Sequence, residues 1–496
     1  MFGDYAMPDR QELRQLALRT LIPGFSGTTA PRWALDLLDE GLGGYCLFAH
    51  NVADPQQLSE LNSSLRQANK DVLIAIDEEG GDVTRLHSAS GSHYPGNAAL
   101  GAVDDPELTA AVHQSMGAEL AAAGVTVDFA PSVDVNVEDD NPVIGTRSFG
   151  RDPQGVARHA VAAVRGLHRA GIIACAKHFP GHGATVVDSH FEVPTVDIPL
   201  SELRERELVP FRAVIDSGIE LIMSGHIRVP ELTGDAPGTM SRAAMHDLLR
   251  GELGFDGAIV TDAMEMRGAS GAIGMPEAVV RAIAAGCDLI CTGGELQKRG
   301  PMTEVVNAVA DAVATAVIDG RLPYERLADA VRRGDVLREW QRENRGSRAP
   351  HALGLAAARR AITVEGTVPA LSNPLIVQID STANIAVGES QWGVTPLLAK
   401  HLPHAQIRNV TPENASVAQI SALADNRPVI VVARDTHRRP ASKGFVEGLA
   451  ASGHDVVLVE MGWPAAWRPE GVAAYVASFG AAAVNAEATV EVLLGS

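Results

Sequence analysis

Eight short apolar runs, separated by longer stretches with helical spacing, dominate the first part of the chain. They cover residues 18–25, 44–48, 72–77, 125–135, 172–177, 221–226, 258–262 and 288–292. Each is of strand length, and the Ala/Leu/Glu/Arg-rich stretches between them, such as 106–123, 155–170 and 200–217, are of helix length. Strict alternation of this kind predicts βα units with parallel strands. Eight units within about 300 residues is the size of a (β/α)8 barrel. A doubly wound open sheet is the alternative, and the number of units favours the barrel.

Most of these runs end in polar or ionisable residues: Asp77, Asp134, Lys177, His226 and Asp262. For one strand, a helix cap or a solvated loop explains such a residue. Five in one barrel point to a shared site, because catalytic groups in this architecture sit at the C-terminal ends of strands.

The densest chemistry follows the fifth run. Lys177-His178-Phe179-Pro180-Gly181-His182-Gly183 is followed by Asp188-Ser189-His190. Its Gly and Pro residues predict a bent loop. Ionisable groups at the mouth of a buried strand are costly to desolvate unless paired, and catalysis is a reason to keep them. Asp77 in Asp77-Glu78-Glu79-Gly80-Gly81, Arg85, Arg147 in Gly145-Thr146-Arg147-Ser148-Phe149-Gly150, and Asp262 complete a set of aspartates, cations and histidines. Such a set suits a polyhydroxylated substrate, which needs convergent donors and acceptors on rigid elements.

Composition narrows the class. Of 496 residues, 46% are hydrophobic and 21% charged, as in a soluble globular protein, and the net charge is −20. That balance argues against a nucleic-acid partner, which needs a basic face. No apolar run reaches membrane-spanning length. The segment before Arg10 carries Asp4, Pro8 and Asp9 and lacks the apolar core of a signal peptide. The expectation is a cytoplasmic protein without a membrane partner. Cys46, Cys175, Cys287 and Cys291 each lie in an apolar run and are expected as small core residues of a reduced protein.

The helical stretch 324–340 closes the first unit, and the polar segment 343–350 reads as a linker. A smaller α/β domain is expected beyond it, a parallel three-layer sandwich with strands at 375–379, 429–433 and 456–460. The expected division is a barrel over 1–345, a linker and helix over 346–360, and the second domain over 361–496. Neither a Walker loop nor a GxGxxG motif opening a helix is present, so no nucleotide cofactor is expected.

The Lys177–Gly183 run with Asp188-Ser189-His190 resembles glycoside hydrolase family 3, in its β-N-acetylglucosaminidase branch. Asp77-Glu78-Glu79-Gly80-Gly81, Arg147-Ser148-Phe149-Gly150 and Val260-Thr261-Asp262-Ala263-Met264 resemble further blocks of that family, in the family's order. The likeness covers roughly residues 12–345. It implies that Asp262 is the nucleophile of a retaining mechanism. It also implies that His190 is the general acid/base and that Asp188 orients its imidazole. Asp77, Arg85, Arg147, Lys177 and His178 would hold the sugar. The expected activity is removal of terminal β-linked N-acetylglucosamine from chitooligosaccharides or peptidoglycan fragments, without cofactor or metal. A neutral imidazole does not repel an incoming anion, so a phosphorylase is the alternative, with a broad β-glucosidase beside it. A non-catalytic sugar-binding protein on the same fold is a further alternative.

One position departs from the family pattern: Asp82 stands where many relatives carry Arg. Other residues have structural readings. Arg147 could pair with Asp152 or Glu138, Glu79 could anchor the Gly80-Gly81 turn, Glu78 could be solvated or structural, and His182 could pin its loop. His226 could line the pocket or satisfy a carbonyl. His178, His182, Asp188 and His190 are ligand types for a metal, but their spacing fits no metal motif and Lys177 would oppose a cation.

Overall fold

The computed structural model describes residues 8–186, 193–271, 273–294, 301–344, 346, 353–380 and 392–495. All eight expected strands of the first unit form: β1 (Leu21–Pro23), β2 (Gly44–Leu47), β3 (Leu73–Ile76), β4 (Val127–Asp128), β5 (Ile173–Phe179), β6 (Leu221–Ser224), β7 (Ala258–Thr261) and β8 (Ile290–Gly293). β2 to β7 pair in chain order, each parallel to the next. β8 pairs parallel with β1, a parallel bridge joins Val260 to Leu289, and β1 packs beside β2, which completes the ring.

Alternation along the strands fills the barrel. Ile22, Cys46, Leu73, Ala75, Ile173, Cys175, Met223 and Val260 belong to one inner cluster. Leu21, Tyr45, Ile74, Ala174, Ile222 and Ile259 belong to the layer packed against the surrounding helices. Burial on both faces is why the runs read as continuously apolar. All four cysteines are buried and free, and no described helix is long and apolar enough to cross a membrane.

Three local expectations change. The run 125–135 contributes only Val127–Asp128 as strand, because Pro131 has no N–H for a ladder. β5 runs on through Lys177 and His178 to Phe179, so these two are strand residues and the bend begins beyond them. Paired carboxylates make those polar side chains tolerable there, as described below. The stretch 200–217 splits into helices Leu200–Glu205 and Leu208–Asp216. Pro210 would clash with the Arg206 carbonyl in a continuous helix.

The second sheet has the order β11-β10-β12-β13-β14-β9. Its strands are β9 (Thr363–Gly366), β10 (Leu375–Ile379), β11 (Gln406–Val410), β12 (Val429–Ala433), β13 (Val456–Glu460) and β14 (Ala474–Ala477). Helices Val394–His401 and Ala483–Leu494 cover one face, and Val417–Ala424 and Pro440–Ala451 the other. The three layers are as expected, but the sheet is mixed: β9 runs antiparallel to β14 at an exposed edge. β9 and β11 carry no buried apolar run to mark them.

Loops at the C-terminal ends of β12, β13 and β14 meet the barrel. Arg434 and the Ala481 N–H reach Asp82, and the Trp463 indole donates to Asp139 Oδ1 at 3.1 Å. The barrel loops after β3 and β4 are therefore held from the second domain's side.

Candidate active site

The strand ends gather the expected groups on one rim. Asp77 is one residue past β3, Lys177 and His178 lie within β5, and Asp262 is one residue past β7. Arg85 lies in the loop after β3, and Arg147 ends the short 3-10 turn Gly145–Arg147 after β4. Beneath them, burial raises the pKa of the Cys175 thiol, which also feels the charges of Lys177, Asp77, Asp128 and Asp262.

Glu79 is the hub of this rim. Arg147 grips it through Nη2 to Oε1 at 2.6 Å and Nε to Oε2 at 2.8 Å, and Lys177 Nζ lies 2.7 Å from Oε1. Lys177 also donates to Asp77 Oδ1 at 2.6 Å. Burial alone would raise the Glu79 pKa, but Arg147 and Lys177 outweigh it and hold it lowered. Burial would lower that of Lys177, but Asp77 and Glu79 keep it raised. The charges thus persist in a site where Lys177 is 1% exposed, and pairing is what makes their burial tolerable. Arg147 pairs with Glu79, not with Asp152 or Glu138. Glu79 holds side chains from the loop after β4 and from β5 itself.

The Gly80-Gly81 turn has its own cause. Gly80 (φ +71°) and Gly81 (φ +61°) both need the left-handed region, and a Cβ on Gly81 would lie 2.5 Å from Gly96 Cα. Glu78 is fully buried, not solvated. It accepts from Thr84 Oγ1 and from the Arg85 and Leu86 N–H groups, and so fixes the loop carrying Arg85. Arg85 Nη2 lies 3.9 Å from Asp77 Oδ2.

His178 is held from both sides: Nδ1 is 2.7 Å from Asp134 Oδ2, and Nε2 is 3.3 Å from Arg147 Nη2. Arg147 can only donate, so Nε2 accepts and Nδ1 carries the proton toward Asp134. Asp134 Oδ1 also accepts the backbone N–H groups of His178 and His182. Burial would raise the Asp134 pKa, but His178 and His182 hold it lowered. Burial pushes His182 down to about 4, with help from His178. Its Nδ1 meets Thr185 Oγ1 at 2.6 Å, and its carbonyl accepts from Asn141 Nδ2, so it pins the loop as expected.

Asp262 is half-buried, and its Oδ1 accepts the Ala263 N–H at 2.7 Å. His226 satisfies a neighbouring carbonyl, that of Ala263 at 3.1 Å, and its other nitrogen meets Thr239 Oγ1. It supports the Asp262 turn from below. Asp188 and His190 lie outside the described residues.

Two functional neighbours escaped the sequence reading. Asp134 was seen as a strand-end residue but not as the partner of His178, and Glu79 was given only its turn. Glu79 had a signal, an acid two residues from a rim position, and Asp134 had another, its place at the end of an apolar run. Asp82 finds its explanation across the domain boundary: it accepts from Arg434, Thr146 Oγ1 and the Ala481 N–H.

A metal-type cluster among the described residues is His87, His93 and Glu119. Its groups already serve one another. His87 Nε2 meets Glu119 Oε2 at 2.9 Å, Tyr94 donates to the other oxygen at 2.6 Å, and the two imidazoles lie with ring centres 3.9 Å apart. Rings so close together do not splay as two ligands of a tetrahedral ion must.

Residues 10–338 match the model of the glycosyl hydrolase family 3 N terminal domain. The chain is 34% identical over 328 residues to beta-hexosaminidase A of Pseudoalteromonas piscicida, covering 62% of this chain and 55% of that protein. It is 41% identical over 253 residues to a beta-hexosaminidase of Tolumonas auensis, covering 50% of this chain and 75% of the other. Among solved structures, the family 3 beta-N-acetylglucosaminidase of Paenibacillus sp. str. FPU-7 superposes with a TM-score of 0.86 at 31% identity, over 99% of this chain and 97% of that one.

Proposed function

The chain belongs to glycosyl hydrolase family 3, and on that premise we propose that it is a retaining exo-β-N-acetylglucosaminidase acting on chitooligosaccharides or peptidoglycan-derived fragments. It is a glycoside hydrolase. The observation that carries the mechanism is Asp262, a half-buried carboxylate one residue past β7 on the rim that holds Lys177 and Asp77. Likeness to the Paenibacillus enzyme over both domains supports the choice of sugar.

In the proposed reaction Asp262 attacks the anomeric carbon as the bond to the leaving sugar breaks, and a protonated His190 supplies the proton to that leaving oxygen. Water then attacks the same carbon, gives its proton to His190, and frees Asp262. Asp188 orients the imidazole. The roles of Asp188 and His190 rest on their motif.

The rim residues grip the sugar. Lys177 has three N–H donors, of which Asp77 and Glu79 take two. The third has no partner among the described residues and is offered to a hydroxyl. Asp77 keeps Oδ2 as an acceptor, with Arg85 nearby. Arg147 and His178, fixed by Glu79 and Asp134, form the adjoining wall. Four buried free cysteines suit a reducing compartment, and we place the enzyme in the cytoplasm, in turnover of cell-wall fragments.

Turnover of aryl β-glycosides and muropeptide fragments, with and without phosphate, tests the reading. Release of free N-acetylglucosamine at a phosphate-independent rate is expected. Selective cleavage of the β-glucoside, or formation of a sugar 1-phosphate, would replace it.

A further inference from the structure

We infer that the second domain tunes the sugar-binding rim through one buried ion pair, with Arg434 and Asp82 as positioning residues; this rests on the glycosidase reading above. Asp82 is 4% exposed, and its carboxylate joins three segments. Oδ2 takes Arg434 Nη2 and Thr146 Oγ1, the latter at 2.8 Å, and Oδ1 takes the Ala481 N–H at 2.8 Å. Arg434 directly follows β12, and Ala481 follows β14, so both are presented by strand ends of the second sheet.

The barrel side of this junction leads straight to the rim. Asp82 follows Glu79 across the Gly80-Gly81 turn, and Thr146 precedes Arg147. The Asp82–Thr146 and Glu79–Arg147 contacts therefore tie the same two loops together at neighbouring points. Arg147 in turn touches His178, and Glu79 touches Lys177. Without Arg434, Asp82 would be an uncompensated buried carboxylate between these loops, and the loops would shift to hydrate it. Such a shift displaces groups that must be held closely to bind a substrate productively. The outer part of the β4 loop is held from the same side, by His437 and Trp463 on Asp139.

A buried pair of this kind contributes little net stability, since well-packed apolar residues often replace one without loss. Removing one partner alone leaves the other buried and unpaired, so Tm should fall in the single variants, and the mark of a positioning role is the rise in KM that accompanies that fall.

The experiment compares Arg434→Met, Arg434→Lys and Asp82→Asn with Arg360→Ala. The last cuts an exposed ion pair between helix Gly354–Ala361 and Asp105, away from the rim. Arg434→Met and Asp82→Asn are expected to raise KM for an aryl β-N-acetylglucosaminide, and the inhibition constant of N-acetylglucosamine, about tenfold. The change in kcat is expected to be smaller, Arg434→Lys should recover much of the loss, and Arg360→Ala should match wild type. Hydrogen exchange over residues 143–149 should speed up in Arg434→Met whichever glycoside the enzyme takes. Unchanged KM and exchange in folded Arg434→Met would overturn the inference, as would an equal rise in KM in Arg360→Ala. Wild-type inactivity on the aryl β-N-acetylglucosaminide would count against the substrate reading alone, because the exchange measurement still reads the ion pair.

Discussion

Arg147 and Glu79, from loops after different strands, meet in two parallel N–H···O bonds while Lys177 closes on the same carboxylate. Glu79→Gln keeps the shape and removes the charge both cations need. Breaking a buried pair costs about 3–5 kcal/mol, so a lower Tm and weaker substrate binding are expected at pH 7. The folded Glu79 pKa lies below its ordinary 4.5. Its stabilisation is thus complete above about pH 4.5 and is lost as pH falls through the lowered value. Denaturant titrations of both proteins should show their stability difference shrinking at strongly acid pH.

Asp262→Asn removes the proposed nucleophile from a site where the amide still fits. A fall in kcat of about 10⁴-fold or more is expected, the scale on which loss of a covalent catalyst is felt. Circular dichroism should be unchanged, and N-acetylglucosamine should still bind. Wild-type turnover in this variant would remove the assignment.

Asp134→Asn tests the orientation of His178. The new amide can turn an N–H toward Nδ1, which then gives up its proton. Nε2 would carry it instead, facing the Arg147 donor. We predict a rise in KM of about tenfold from the misdirected ring, together with a change of His178 tautomer visible in imidazole nitrogen NMR shifts.

Glu207 carries the opposite pH signature. Burial pushes its pKa up to about 7, and Arg206 Nε is its partner at 2.7 Å. Between pH 4.5 and 7 the folded protein holds a proton that the unfolded chain has lost, so this residue makes stability fall as pH rises through that window. Glu207→Gln removes the penalty. It should gain about 3 kcal/mol at pH 8 and almost nothing at pH 4, measured by denaturant unfolding at both values.

Gly81→Ala meets two obstacles at once, a φ of +61° and backbone atoms of Gly96 within 2.7 Å of the new Cβ. Neither can yield as a side chain would. A loss of more than about 2 kcal/mol is expected, with activity falling further because Glu79 and Asp82 flank the turn. Thermal unfolding and kcat/KM together check this.

The barrel was legible because each strand carries its own evidence: a short apolar run, buried on both faces, with helical spacing after it. β9 and β11 carried none, being exposed or half-exposed, and were missed, as was the four-residue β14 although it is buried throughout. At the site, Asp77, Lys177 and Asp262 stood out because ionisable residues ending apolar runs are costly to place. The extension of β5 through His178 did not stand out, because neighbours far along the chain make it affordable.

What the sequence determined by itself is the alternation that builds the barrel and the identity of the groups at its rim, since periodicity and residue type are local properties. What the tertiary structure decided is who holds whom. Glu79 meets Arg147 across 68 residues, Asp134 meets His178 across 44, and Asp82 meets Arg434 across 352. No local spacing encodes those pairs. They exist because closing the barrel and seating the second domain on its loops bring opposite charges together away from water, where each must find a partner.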